Sequence, residues 1–97
     1  MSDASNANVA RARFTIRNRL GLHARAAGLF VQAITPFQVD VVVEKDGEKV
    51  SGKSIMGLMT LAAGQGSEIA VQATGPDAEA CLRSLEELIE ARFREAD

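Results

Sequence analysis

Four stretches of this chain alternate apolar and polar side chains, and each has a single apolar face. In "ARFTIRN" Phe14 and Ile16 share one face, with Arg13, Thr15 and Arg17 opposite. "FQVDVVV" sets Phe37, Val39, Val41 and Val43 against Gln38 and Asp40, and "SEIAVQAT" repeats the pattern through Ile69, Val71 and Ala73. The short "EKVSG" follows Asp46-Gly47, a pair whose chemistry suits a hairpin turn because glycine tolerates positive φ. Strands buried on both faces, as in parallel sheets, read as continuous apolar runs. One-faced strands therefore specify an antiparallel sheet with its other side in water. Every helix must then cover the same face.

Three helical segments are available to do so. Residues 24–34 put Ala27, Phe30, Val31 and Ile34 on one side and end before Pro36, which disfavours α geometry in the residue ahead of it. A second helix is expected from an N-cap at Ser54, through "IMGLMTLAA", to near Gly64. The third opens at Gly75-Pro76-Asp77, where proline suits the first turn and Asp77 and Glu79 complement the helix dipole. Its apolar stripe runs Ala78, Cys81, Leu82, Leu85, Leu88 and Ile89 to about Phe93. The expected fold is α+β: an open-faced β-sandwich of order βαββαβα, with a four-stranded antiparallel sheet and three helices on one face.

With 97 residues and 46% hydrophobic composition, the chain makes one domain with a single core. Residues 1–10 are small, polar and aperiodic and read as a disordered leader, which leaves 11–97 as the folded domain. A net charge of −2 excludes the broad basic field of a nucleic-acid binder. No signal peptide and no apolar run of about 18 residues is present, so no membrane insertion and a cytoplasmic location are expected. Cys81 is the one cysteine and sits on the apolar stripe of the last helix, a packing position. One cysteine and one histidine are too few soft ligands for structural zinc, and neither metal nor cofactor is expected. Arg11, Arg13, Arg17, Arg19 and Arg25 gather near the N-terminus, while acidic residues cluster from Asp77 to Asp97. That asymmetry fits docking on an acidic protein surface, although a solvated face is the commoner explanation.

His23, the only histidine, lies in "GLHARAAGLF" at the start of the first helix. A lone histidine there is commonly a cap or a surface residue. Three local features argue for chemistry. Gly21 lets the backbone bend just before the helix. The amides of Ala24 and Arg25 fall in the first turn, where N–H groups have no intrahelical partner and the dipole favours an anion. Arg25 adds a charged fork that can reach an oxygen of that anion. Neutral imidazole is itself a nucleophile, so the anion can be a phosphoryl group carried on His23. No general base, metal pair or nucleotide loop accompanies it, which favours a carrier over a complete enzyme.

The short helix after Ser54 is apolar nearly all round. With Leu58 and Leu61 packed on the sheet, Ile55, Met56 and Met59 are left partly exposed, and exposed methionines suit an adaptable docking surface.

These residues resemble a known family. "GLHARAA" is similar to the active-site segment of HPr, the histidine-containing phosphocarrier of the bacterial phosphoenolpyruvate-dependent phosphotransferase system, and "GKSIMGLMTLAA" resembles that family's regulatory-serine segment. The resemblance covers about residues 12–93, and the form "NRLGLHAR" looks closer to the nitrogen-related, Gram-negative branch than to the sugar-transport branch. It implies that His23 is phosphorylated on Nδ1 and that Arg25 assists transfer. It implies that Ser54 is a target of the ATP-dependent HPr kinase/phosphorylase. Ala24, Ile55, Met56 and Met59 match positions that contact enzyme I and enzyme IIA-type proteins, and the chain is expected to be a monomer. The family's proline after the arginine is replaced by Ala26, which leaves the first helical turn less preset. Two other classes stay open from the residues alone: a small acyl-phosphatase-like enzyme, and a non-catalytic regulatory module in which His23 only caps a helix.

Overall fold

The protein is described by a computed structural model that covers residues 8–95. The elements are β1 (Val9–Thr15), α1 (Ala24–Ile34), β2 (Asp40–Lys45), β3 (Glu48–Ser51), α2 (Ile55–Thr60), β4 (Glu68–Thr74) and α3 (Ala78–Glu90). The strands form one sheet in the order β1-β4-β2-β3, with every neighbouring pair antiparallel. Between β2 and β3, Lys45 pairs with Glu48 across a two-residue turn. Asp46 (φ 53°) and Gly47 (φ 83°) both take left-handed conformations there, the geometry that matches the twist of the flanking strands.

The inward faces of the strands and one face of each helix make a single core. Phe30, Ile34, Val43, Leu58, Ile69, Ala73, Leu85 and Phe93 are fully buried in it. The opposite face of the sheet carries Arg11, Arg13, Asp40 and Glu68, all exposed. Helix α3 lies against β1 and β4, with α1 beside it, and α2 packs on α1 and β3. Cys81 is buried in this core, and desolvation by burial pushes its thiol up, helped by the Asp77 charge and opposed by Lys53. A thiol raised in this way is a packing group.

Several boundaries differ from those read in the sequence. β1 begins at Val9, which pairs with Thr74, so Val9 and Ala10 belong to the sheet and not to the leader assigned over residues 1–10. The ladder with β4 fixes them, and local composition carries no sign of a partner strand. Residues 1–7 of that leader lie outside the described residues. β2 starts only at Asp40, because the Gln38 amide is taken by the Asp77 carboxylate at 2.9 Å. Helix α2 stops at Thr60 instead of running on toward Gly64, with Leu61 as C-cap and Ala62 turned to φ 52°. Helix α3 stops at Glu90. Arg92, Phe93 and Arg94 then form a left-handed turn with φ of 56°, 51° and 56°. Phe93 therefore reaches the core from a turn and not from a continuous helical stripe.

Candidate functional site

The site is assembled where the loop after β1 meets the start of α1. Gly21 takes φ 69°, and a Cβ there would overlap the Ala63 carbonyl oxygen, so the close approach of the two segments depends on glycine. The Leu22 amide donates to that same carbonyl at 2.9 Å. This pins the residue before His23 to the loop that follows α2.

His23 is the N-cap of α1, with extended backbone (φ −79°, ψ −178°), and its side chain makes no capping hydrogen bond. Its carbonyl accepts from the Ala27 amide at 2.8 Å, the first intrahelical bond of α1. Relieved of capping, the imidazole is 29% exposed. It stands beside the first-turn amides of α1, which have no intrahelical acceptor, and Ala24 and Arg25 are both exposed. Ala26 and Ala27 are buried, and α1 forms its first turn without a proline. Arg25 donates from Nη1 to the Phe93 carbonyl at 3.1 Å, which uses one of the five N–H groups of its fork.

The C-terminal turn supplies what sequence reasoning missed. Glu95 Oε1 accepts from the amides of Arg19 (2.8 Å) and Leu20 (3.3 Å), and Oε2 accepts from Asn18 Nδ2 (3.2 Å). Asn18 is fully buried and also donates to the Gly21 carbonyl at 2.8 Å, so one amide ties the loop to the carboxylate. His23 Nε2 faces Glu95 Oε2 at 3.4 Å. Burial works to raise the Glu95 carboxyl, but the hydrogen bonds from Asn18, Leu20 and Arg19, with the His23 charge, outweigh it and hold the group below the usual carboxylate range. The left-handed turn that delivers Glu95 consists of non-glycine residues, each costing about 1–2 kcal/mol in that conformation. No sequence signal marks Glu95, which lies 76 residues from Arg19 along the chain.

Ser54, Ile55, Met56 and Met59 lie on α2, a second helix packed against α1. Ser54 Oγ accepts from the Gly57 amide at 2.9 Å, the N-cap bond that its position predicts. Leu58 and Leu61 are buried, whereas Ile55, Met56 and Met59 are 42%, 73% and 39% exposed. Leu20, which the sequence reading passed over, is also exposed, at 59%. One ion pair joins the basic and acidic blocks of the sequence, Arg17 with Glu90 at 3.2 Å, while Arg13 pairs with Glu68 of β4 at 3.1 Å. Among the described residues, no group of three or more histidine, cysteine, aspartate or glutamate side chains is placed to hold a metal.

Residues 10–91 match a protein family described as the PTS HPr component phosphorylation site. The chain is 46% identical over 81 residues to the phosphocarrier protein HPr of Xylella fastidiosa, an alignment covering 84% of this chain and 91% of the relative. It is 50% identical over 70 residues to the HPr-like protein Crh of Bacillus subtilis, covering 72% of this chain and 82% of that one. The fold superposes on the crystal structure of an HPr from Thermoanaerobacter tengcongensis with a TM-score of 0.85 and 43% identity, over 91% of this chain and 99% of that one.

Proposed function

Because the chain belongs to the HPr family of phosphocarrier proteins, we propose that His23 accepts a phosphoryl group from phosphorylated enzyme I and passes it to enzyme IIA-type proteins. A phosphocarrier is a substrate and donor within its system and not an enzyme, so acyl-phosphatase chemistry drops out. The observation that supports His23 as the carrier is its freedom from capping: the imidazole sits at a helix N-terminus without serving the helix. A purely capping histidine would spend its ring on a first-turn amide.

In this reading the lone pair on Nδ1 forms the new bond to phosphorus, while the donor's bond breaks with its electron pair staying on the donor. The Ala24 and Arg25 amides and the Arg25 fork receive the phosphoryl oxygens. Onward transfer is the same step reversed, with the acceptor as nucleophile. Ala24, Ile55, Met56 and Met59 form the docking surface for both partners. Ser54 is the site at which an HPr kinase/phosphorylase type of enzyme would act. All these residues come from one chain, so a monomer suffices. No helix of the described residues is long and apolar enough to cross a membrane, and a cytoplasmic carrier is the reading we adopt.

The test is intact-mass analysis after incubation with phosphoenolpyruvate and enzyme I. One acid-labile, base-stable phosphoryl adduct is expected on the wild-type chain and none on His23→Ala. Retention of the adduct by His23→Ala would overturn the assignment.

A further inference from the structure

Strand β1 is the long edge of the sheet. Among the described residues its only ladder partner is β4, and Val9–Thr15 pair with it one for one, without a bulge or a proline. The other edge, β3, has four residues and is blunted by its shortness. Just beyond the two ends of β1, the Gly75 amide donates to the Asn8 carbonyl and the Ile16 amide to the Ser67 carbonyl, both at 2.8 Å. Backbone groups of an antiparallel strand alternate between its two sides. The even-numbered residues therefore bond to β4, and Val9, Arg11, Arg13 and Thr15 turn their N–H and C=O groups outward from the sheet. Beside this row two hollows run between β1 and α3. Ala10 and Glu79 border one, Ala12, Phe14 and Glu86 border the other, and Arg83 lines both. With alanine at 10 and 12, this trough has room for the side chains of an added strand.

We propose that the free edge of β1 takes an extended acidic segment of a partner protein as a fifth strand. This surface is separate from His23 and does not depend on the carrier reading. Main-chain hydrogen bonds to the outward groups supply affinity, and the two faces of the added strand supply specificity. On the open face of the sheet its side chains lie next to Arg11 and Arg13, both exposed. Arg13 keeps 71% of its side chain exposed even while paired with Glu68. Opposite charges at cross-strand positions attract, so acidic residues fit there. On the other face Glu79, Glu86 and Glu90 of α3 outnumber Arg83 along the trough, so the alternate residues should be apolar. A second copy of this chain fits poorly. Full-length antiparallel pairing of two β1 strands, centred on Ala12, sets Arg11 of each against Arg13 of the other, and like charges directly opposite are destabilising.

Amide hydrogen exchange of the full chain, read by NMR, tests the edge before any ligand is added. Ala12 and Phe14 should be protected, while Val9, Arg11, Arg13 and Thr15 should exchange freely. A capped peptide of alternating glutamate and valine, matched in length to β1, should protect those four amides and bind more weakly as salt is raised. The same peptide with lysine in place of glutamate should bind roughly tenfold more weakly. Charge reversal in Arg11→Glu/Arg13→Glu should invert that preference. Arg13→Pro removes one outward N–H at an edge position, where proline is tolerated. It should weaken the glutamate peptide while Ala12 and Phe14 stay protected. None of these readouts depends on phosphoryl transfer. Protection of the four amides in the dilute free chain would show the edge already covered and overturn the proposal. So would a concentration-dependent dimer that protects them, or equal binding of the two peptides.

Discussion

Arg25 Nη1 donates to the carbonyl oxygen of Phe93 at 3.1 Å, joining the first turn of α1 to the C-terminal turn. The same guanidinium therefore braces the strap that delivers Glu95 and stands ready beside the helix N-terminus. Arg25→Ala should slow phosphoryl transfer by roughly tenfold or more, since a charge-assisted contact is worth about 1.5–3 kcal/mol. Arg25→Lys should recover only part of the rate, because lysine lacks the planar fork. Rapid-quench measurement of labelled phosphate transfer checks both, and wild-type rates in Arg25→Ala would reduce the residue to a brace.

Ser54 should behave as a cap and as a switch. Loss of its bond to the Gly57 amide in Ser54→Ala should cost about 0.5–2 kcal/mol in denaturant unfolding, with transfer intact. Phosphorylation at Ser54 would add about −1.5 to −2 charges next to exposed Ile55 and Met56. Thermal stability should stay equal or rise, because the positive end of α2 favours an anion. Affinity for enzyme I should fall, since docking would desolvate that charge. Calorimetric titration with both forms tests this, and equal affinities would leave Ser54 as a cap alone.

Two glycines should respond to alanine with opposite signs. Gly21→Ala must place a Cβ against the Ala63 carbonyl at φ 69°, and a loss of about 2–4 kcal/mol is expected from left-handed strain and overlap together. Gly28 lies inside α1, and a Cβ there meets nothing within 4 Å. Gly28→Ala should therefore gain about 0.5–1 kcal/mol. Urea midpoints at a common m-value measure both.

Acid should erase the contribution of Glu95 to stability. Its carboxyl is held below the usual range in the folded chain, so the unfolded chain binds the proton more readily. The stabilisation is complete above the ordinary glutamate value of about 4.3 and is lost as pH falls through the depressed folded value. Wild type should exceed Glu95→Gln in stability at neutral pH, and the gap should close in acid. A gap that is unchanged or wider at low pH would contradict the direction of the shift.

Period-two alternation and its single apolar face per strand sufficed to determine the antiparallel sheet and the one-sided helical layer, because burying one face leaves no other arrangement. The bounds of α1, the cap at Ser54 and the exposure of Ile55, Met56 and Met59 were legible for the same reason: each depends on neighbours within a turn or two. His23 and Arg25 stood out because a helix N-terminus has local signals. Tertiary structure alone decided the extension of β1 to Val9, the early end of α2 and the break after Glu90, since ladder partners and core anchors lie far away in sequence. It also decided the place of Glu95. A carboxylate near the end of an acidic helix looks like solvated charge until the left-handed turn, held by buried Phe93, swings it onto the Arg19 and Leu20 amides beside the imidazole. Hydrogen bonds between distant segments form only once the core has closed, and no local pattern encodes them.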